Sequence, residues 1–345
     1  MKSRPITYSK NVFIPVTNVC RNKCAYCGFR RPADHKEAFL ITEQEAEAVF
    51  KKGAETGCTE AMFAFGESPE ENAGFNARFK KQLNDAGFET VVDYTAHLCR
   101  LALNYGLLPH VNGGVLSFEE LKMIAPLNAS MGLMLETTAI VPAHKDCPGK
   151  IPSVRLEMIE NAGKLKMPFT TGLLAGIGEN QNDRLLSLLE IQKSHEKYGH
   201  IQEVILQNYT PNSGQTVLSN VSSMPAGLKP PTKQEMIDLI LLAKKILTPD
   251  ISIQVAPNLM SPIELIQYGV TDLGGISPVT IDYINPESAW PEIENLKTLL
   301  HSKGYELKER LPIYPRYVKT GAGGEKTQSL IKSLADDNGY RLNLR

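Results

Sequence analysis

Long hydrophobic runs are missing from this sequence. The most apolar helical stretch, LILLAKKIL at 239–247, is broken by Lys244 and Lys245 and falls far short of the roughly 20 residues a bilayer span needs. The first ten residues, MKSRPITYSK, lack the apolar core of a secretory signal. A dominant charge is missing too: 37 Lys and Arg face 38 Asp and Glu, for a formal net charge of −1. Such balance argues against wholesale binding of nucleic acid or an anionic membrane. No glycine-rich G-x-G-x-x-G turn opens a helix, so the usual mark of a dinucleotide-binding sheet is absent. Repeats and low-complexity tracts are absent as well. The expectation is a cytoplasmic protein with neither nucleic acid nor membrane among its partners.

With 345 residues, 42% apolar and 22% charged, the chain has material for a large core beneath a polar surface. Eight short apolar runs read as strands: 11–17, 59–65, 107–111, 130–136, 168–175, 203–209, 252–256 and 272–276. They are too continuous for half-exposed antiparallel strands, which alternate apolar and polar residues. Helices announce their starts between them. Thr42 with Glu45, Ser117 with Glu120, and Thr232 with Glu235 each stand at capping-box spacing. In the first helix Ala46, Val49, Phe50, Gly53 and Ala54 recur on one face, predicted to be buried.

Eight strand–helix repeats favour an α/β fold of the TIM type, a (β/α)8 barrel, over an open doubly wound sheet. The segment 73–106 holds two helical stretches where a minimal unit needs one, and the longest loop is expected at 219–232. GAGGE at 321–325 reads as a hinge to a short terminal helix. The expected division is therefore a barrel over 1–320 and a C-terminal helical extension over 321–345.

In a parallel barrel the chemistry sits where strands end. That rule selects Cys20 to Cys27 after the first strand, Gly66 and Glu67 after the second, and His110 and Asn112 at the third. Glu136 closes the fourth, Gly176 follows the fifth, Gln207 and Asn208 close the sixth, and Asn258 follows the seventh.

The stretch NVCRNKCAYCGFRR, 18–31, holds three of the six cysteines at C-x3-C-x2-C spacing. Clustered thiols in a reducing compartment point to metal or redox chemistry rather than crosslinks. Zinc wants four ligands, and no second C-x2-C completes a ribbon. A thioredoxin-like Cys24/Cys27 pair leaves Cys20 without a task. A four-iron cluster takes three thiolates and leaves one iron open, so spacing favours a cluster while a zinc site with a distant fourth ligand stays open. Cys58, Cys99 and Cys147 read as small apolar core residues.

The C-x3-C-x2-C loop, with aromatic Tyr26 before its last cysteine, resembles the signature of the radical S-adenosylmethionine (SAM) superfamily. The resemblance implies a [4Fe–4S] cluster on Cys20, Cys24 and Cys27, with SAM chelating the open iron and Tyr26 beside it. Its reductive cleavage would yield a deoxyadenosyl radical that abstracts hydrogen atoms. FAFGESPE, 63–70, sits where the superfamily carries Gly-Gly-Glu, with Phe65 in place of the first glycine. Gly66 and Glu67 are thus implied for the methionine ammonium. In the biotin-synthase-like branch, positions matching Glu136 and Arg155 contact SAM, the arginine taking its carboxylate. Gly176 and Ile177, in TTGLLAGIGE, match a segment that lies along adenine.

Further stretches narrow the resemblance. TYSKNVFIPVTNVCRNKCAYCGFRR, HKDCPGKIPSVRLEMIENA, ILQNYTPNSGQT, QVAPNL and DLGGISPVTIDYINPESAWP are similar to CofG-type 7,8-didemethyl-8-hydroxy-5-deazariboflavin synthases. One departure is Asn112-Gly113-Gly114, where that family tends to have Asn-Pro-Gly. The implied substrate is a 4-hydroxybenzyl group joined to an amino-ribitylimino-dihydrouracil. It is made by the CofH subunit, the implied functional partner, and an electron donor is needed besides. Gln207, Asn208 and Asn258 offer paired donors and acceptors for a uracil edge, with Asn112 beside them. Asp282, Tyr283 and His110 are candidates for holding ribityl hydroxyls. His110 is the leading acid/base candidate by its intrinsic pKa, with Asp282 as a second catalytic candidate. The competing readings are another biotin-synthase-like enzyme, of CofH, menaquinone-pathway or hydrogenase-maturation type, and a structural zinc protein.

Overall fold

In strand Ile6–Thr17 (β1) every residue but Lys10 is buried, because the strand is covered on both faces. Seven more strands follow: Glu60–Phe65 (β2), Leu108–Asn112 (β3), Ser130–Gly132 (β4), Phe169–Ala175 (β5), Ile201–Asn208 (β6), Ser252–Gln254 (β7) and Asp272–Ile276 (β8). Each is parallel to its neighbour, and β1 pairs with both β2 and β8, so the sheet closes on itself. All eight predicted strands are present, in the closed barrel rather than the open sheet. The computed structural model describes residues 5–211 and 227–342. Positions 219–226 of the predicted long loop, and 212–216 of ILQNYTPNSGQT, lie outside the described residues. Among those described, no helix is long and apolar enough to cross a membrane.

Helices Glu43–Glu55 (α1), Ala73–Asp85 (α2), Val91–Asn104 (α3), Phe118–Ile124 (α4), Pro152–Lys164 (α5), Gln181–Tyr198 (α6) and Lys233–Ile246 (α7) surround the barrel. The capping boxes at Thr42, Ser117 and Thr232 all form, each with its reciprocal bond to the glutamate. A fourth, Asn180 with Asp183 before α6, carries a shorter acid at the third position and escapes the usual pattern. In α1, Ala46, Phe50 and Gly53 are buried, but Ala54 is exposed. Gly53 lies so close to β1 that a Cβ there would stand 2.6 Å from Val12 Cγ1. The contact line therefore runs through Gly53 and leaves Ala54 outside it.

Two elements depart from the expected repeat. Between β7 and β8 the described chain makes short 3₁₀ turns, Pro262–Glu264 and Ile266–Tyr268, where an α-helix was expected. After Ile293–Ser302 (α8), a ninth strand, Leu307–Arg310 (β9), pairs in parallel with the start of β1. Its sequence, LKER, has no apolar run to announce it. Beyond it the chain crosses the amino-terminal mouth of the barrel. Pro312 O accepts from Ser130 Oγ at 2.8 Å and Gln202 Nε2 at 3.0 Å, and Tyr314 N–H donates to Gln202 Oε1 at 3.1 Å. Helix Glu325–Leu334 (α9) ends the described fold.

Arg310 turns inward from β9 and grips Asp272 of β8 with two bonds, 2.7 and 2.9 Å long. Glu203 of β6 lies 3.6 Å from the same guanidinium. Burial pushes the Glu203 carboxyl up to about 8, against the pull of Arg310. A carboxyl raised on folding contributes stability below its unfolded pKa and loses it as pH rises through the folded value. Glu203→Gln should therefore gain in melting temperature over the wild type between pH 5 and 9. The expected gap is on the order of a few kcal/mol at the alkaline end; parallel pH profiles of the two proteins would reject it.

Candidate active site

Side chains of a strand point alternately in and out, so every second residue lines the lumen. Counting inward positions up the barrel gives three layers. Asn11, Glu60, Thr170 and Glu203 form the lowest, closed beneath by Arg310 and Pro312, while Gln254 stands opposite Ile205 in register. Phe13, Met62 and Ile205 form the next, with His110 opposite Met62 in register. Asn112, Leu174 and Gln207 form the uppermost, beneath the loops. The lower cavity measures about 170 Å3 and the upper about 260 Å3. Phe13, Met62, Asn112 and Gln207 line both, so the two adjoin.

The upper cavity gathers the thiol loop. Cys20, Cys24, Tyr26 and Cys27 line it, opposite Gly66, Glu67, Glu136 and Arg155. Among the described residues no three His, Cys, Asp or Glu side chains close on a single ion position. Three thiols spread around a cavity suit a multinuclear cluster better than one zinc. Backbone N–H groups already point at two sulfurs: Glu67 N–H at Cys20 Sγ, 3.2 Å, and Arg30 N–H at Cys27 Sγ, 3.4 Å. Burial, then repulsion from the neighbouring sulfurs, pushes Cys20 up to about 12, and Cys27 rises for the same reasons. A positive metal centre would relieve that repulsion. Cys147 sits beside Cys24, with its thiol donating to Lys145 O at 3.3 Å.

Gly66 has a local reason. A Cβ there would lie 2.0 Å from Val19 O and 2.8 Å from Cys20 Cβ, so only glycine lets β2 end against the thiol loop. The two departures from family pattern, Phe65 and Gly113, share one space: a Cβ on Gly113 would meet the Phe65 ring at 2.0 Å. Gly113→Ala is expected to cost about 1–3 kcal/mol by overpacking, and close to nothing in a Phe65→Ala background. A double-mutant cycle by urea unfolding measures the coupling. Additive effects would show that the ring does not set the cost.

Behind the thiols lies a buried charge cluster. Glu67, 3% exposed, accepts from Arg21 Nε and Val115 N–H, both at 2.9 Å, and lies 3.8 Å from Arg155. Glu136 pairs with Lys150 at 2.5 Å and stands 4.0 Å from Arg155. Burial pushes both carboxyls up. It is outweighed at Glu67 chiefly by the Val115 N–H and Arg155, and at Glu136 by Lys150 and Arg155, so both end below the usual range. Arg155 itself, 3% exposed, donates to Met134 O at 2.5 Å and Gly149 O at 2.8 Å. Glu136 is held at φ +67, the left-handed region that a residue with a Cβ rarely adopts. Such strain costs about 1–3 kcal/mol and clusters at functional sites.

Other predicted residues fall elsewhere. Ile177 lies behind the cavity wall, in a small apolar cluster with Leu174 and Tyr209, against which Tyr26 packs. The N–H groups of Gly176 and Ile177 both donate to Glu179, at 2.8 Å, and the open space at Gly176 admits the Lys229 carbonyl. Tyr283 packs against Phe13, ring centres 5.4 Å apart and planes tilted by 46°. Asn258 donates to Asp282 at 2.9 Å, and Asp282 also caps the N–H groups of Ile284 and Asn285. Both Asp282 oxygens are thereby engaged in holding its own loop. Asn208 lines the upper cavity and donates to Thr210 at 3.1 Å.

His110 faces the lower cavity. Ser130 Oγ donates its one proton to Pro312 O, so the 2.7 Å contact with His110 Nδ1 makes that nitrogen the donor. The Nε2 atom is then an acceptor. Burial, helped by Arg310, lowers the imidazole to about 3, so the ring is neutral. Sequence reasoning missed Lys150, Cys147 and Arg310. Lys150 was quoted in HKDCPGKIPSVRLEMIENA without its partner Glu136, fourteen residues away.

A thiol loop over the carboxyl ends of a closed parallel barrel defines a class of enzyme. Residues 14–191 match the model of the radical SAM superfamily, and the chain belongs to that superfamily, which implies a [4Fe–4S] cluster and SAM. Over 336 residues it is 52% identical to the 7,8-didemethyl-8-hydroxy-5-deazariboflavin synthase of Methanosarcina mazei, covering 97% of this chain and 96% of that one. It is 46% identical to the synthase of the same name from Archaeoglobus fulgidus, covering 97% and 98%. The chain belongs to this synthase family. Among solved structures, methylornithine synthase PylB aligns with a TM-score of 0.61 at 15% identity, over 88% of this chain and 83% of that one. The [FeFe]-hydrogenase maturase HydG aligns at 0.70 and 17% identity, over 96% and 70%. These two share the fold.

Proposed function

We propose that the chain forms 7,8-didemethyl-8-hydroxy-5-deazariboflavin from 5-amino-5-(4-hydroxybenzyl)-6-(D-ribitylimino)-5,6-dihydrouracil, closing the third ring and releasing ammonia. What carries the reading is a cavity lined by three thiols and a buried carboxylate–guanidinium cluster, adjoining a polar lumen, in a chain of this synthase family. Cys20, Cys24 and Cys27 would hold the cluster. Glu67 and Glu136 supply negative charge for the SAM ammonium, and Arg155 with Lys150 supplies positive charge for its carboxylate. When bound, the cluster and SAM supply one-electron chemistry that generates a carbon radical able to take a hydrogen atom from the substrate.

The chain's own groups bind and orient. Asn112 and Gln207, at the junction of the two cavities, face a uracil edge, with Asn208 above them. His110 serves as a neutral hydrogen-bond acceptor, because its imidazole carries no second proton near pH 7. Asp282 positions Asn258 and the loop that bears Tyr283. Gly176 and Ile177 back the wall behind Tyr26 rather than present N–H groups. CofH would supply the adduct, and a reduced donor the electron, in the cytoplasm, where oxygen-sensitive thiolate chemistry is protected.

Anaerobically reconstituted protein, given SAM, reductant and the adduct, should release both deoxyadenosine and a fluorescent deazaflavin. Deoxyadenosine without deazaflavin would favour another biotin-synthase-like activity. One zinc per chain, no sulfide and neither product would overturn the reading.

A further inference from the structure

We propose that the lower cavity takes the ribityl chain of the substrate, polyol end first, so that the reacting rings stop at the Phe13, Met62 and Ile205 layer. This rests on the synthase reading above. Parallel barrels usually fill their lumen with branched apolar side chains. Here the lowest layer is polar on four strands, with Asn11 opposite Glu60 and Thr170 opposite Glu203 in register.

Thr170 Oγ1 donates to Glu203 Oε2 at 3.2 Å, but other polar atoms on the cavity stay unpaired among the described residues. Asn11 is 3% exposed, yet its Oδ1 has no partner among the described residues, and Trp290 Nε1 on the same cavity has none either. Native proteins leave few such atoms, and those they leave call for an explanation. One acceptor and one donor awaiting partners fit hydroxyl groups, each of which donates once and accepts twice. His110 Nε2 adds an acceptor on the same cavity, its ring tied through Ser130 to Pro312.

The charge of the floor selects the ligand class. Arg310 is committed to Asp272 through both nitrogens that reach it. Burial holds Glu60 and Glu203 toward their protonated forms, in which each donates as well as accepts. A phosphate would press against two acids, and a cation against Arg310. A neutral polyol meets neither obstacle. The cavity therefore reads the ribityl group as an unphosphorylated alcohol and fixes how deep the adduct descends.

The test uses the unaltered, reconstituted protein with three adducts: ribityl, 2-hydroxyethyl in its place, and ribityl 5-phosphate. The hydroxyethyl and phosphate forms should each raise KM by about a hundredfold, the loss of about two to three hydrogen bonds. Glu203→Leu should raise KM for the ribityl adduct about tenfold and leave the hydroxyethyl KM unmoved, whereas Glu203→Gln should stay within about threefold. A merely structural role would shift both substrates alike. Equal KM for ribityl and hydroxyethyl adducts, or ready use of the phosphate, overturns the proposal while deazaflavin still forms. Absence of deazaflavin from every adduct removes the synthase reading, and this assignment with it.

Discussion

Cys24→Ala should abolish deazaflavin formation, by at least about three orders of magnitude, equivalent to about 4 kcal/mol of barrier. Iron and sulfide per chain should fall with it, while the barrel stays folded. Cys24 lies on the loop over β1 and packs against no strand pairing, so truncation there removes a thiolate without opening the core. Cys20 and Cys27 already hold N–H donors from Glu67 and Arg30; with only two ligands left, the cluster loses a corner. Cys147→Ala removes a thiol beside Cys24 rather than a ligand, and should cost only about 10–100-fold in activity. Cys99, fully buried on the inner face of α3, gives the control: its alanine variant should retain iron. Retention of iron, sulfide and product by Cys24→Ala would remove the thiol loop from the chemistry.

Arg155→Leu should destabilise the protein by about 3–5 kcal/mol, the usual result of breaking a buried ion pair from one side. The guanidinium serves two carboxylates and two carbonyls at once. Its loss strands Met134 O and Gly149 O and leaves Glu67 with Arg21, and Glu136 with Lys150, as its remaining cation. The pH dependence separates this from a simple packing defect. Glu67 and Glu136 have folded pKa values below their ordinary ones, so their stabilisation is present above the unfolded pKa and lost as pH falls through the folded value. Removing Arg155 raises those folded values and moves acid unfolding to higher pH. SAM binding, measured calorimetrically on the loaded protein, should weaken in the same variant. A stable Arg155→Leu with an unshifted acid limb would mean that Arg21 and Lys150 suffice.

The two clusters of buried charge divide the barrel. Around Arg155 the carboxyls are held ionised beneath the thiol loop; around Arg310 at the floor, Glu60 and Glu203 are held toward their neutral forms. Geometry sets the difference. Glu136 and Glu67 each have a cation or N–H within 3 Å, whereas Arg310 is drawn to Asp272 and leaves Glu203 at 3.6 Å. The mouth thus favours a charged cofactor and the floor an uncharged end of a substrate.

Local order was legible because its causes are local. Continuous apolar runs located all eight barrel strands, and hydroxyl–glutamate pairs three residues apart located three helix starts. The thiol loop, Glu67 and Glu136 were legible from their types and from where strands end, and Arg155 through the family resemblance alone. What joins them was not. The Lys150–Glu136 pair, the approach of Cys147 to Cys24, the Phe65–Gly113 fit and the Arg310 floor link positions whose separation carries no periodicity. The same holds for the role of His110: its residue type suggested an acid or base, but burial beside Arg310 and the bond to Ser130 make it a neutral acceptor. By itself the sequence determined the strands, the caps and the inventory of chemical groups, through forces that act within a turn or a pleat. Barrel closure alone decided which charges face each other and which acids stay protonated, because desolvation and ion pairing depend on neighbours brought together only when the last strand meets the first.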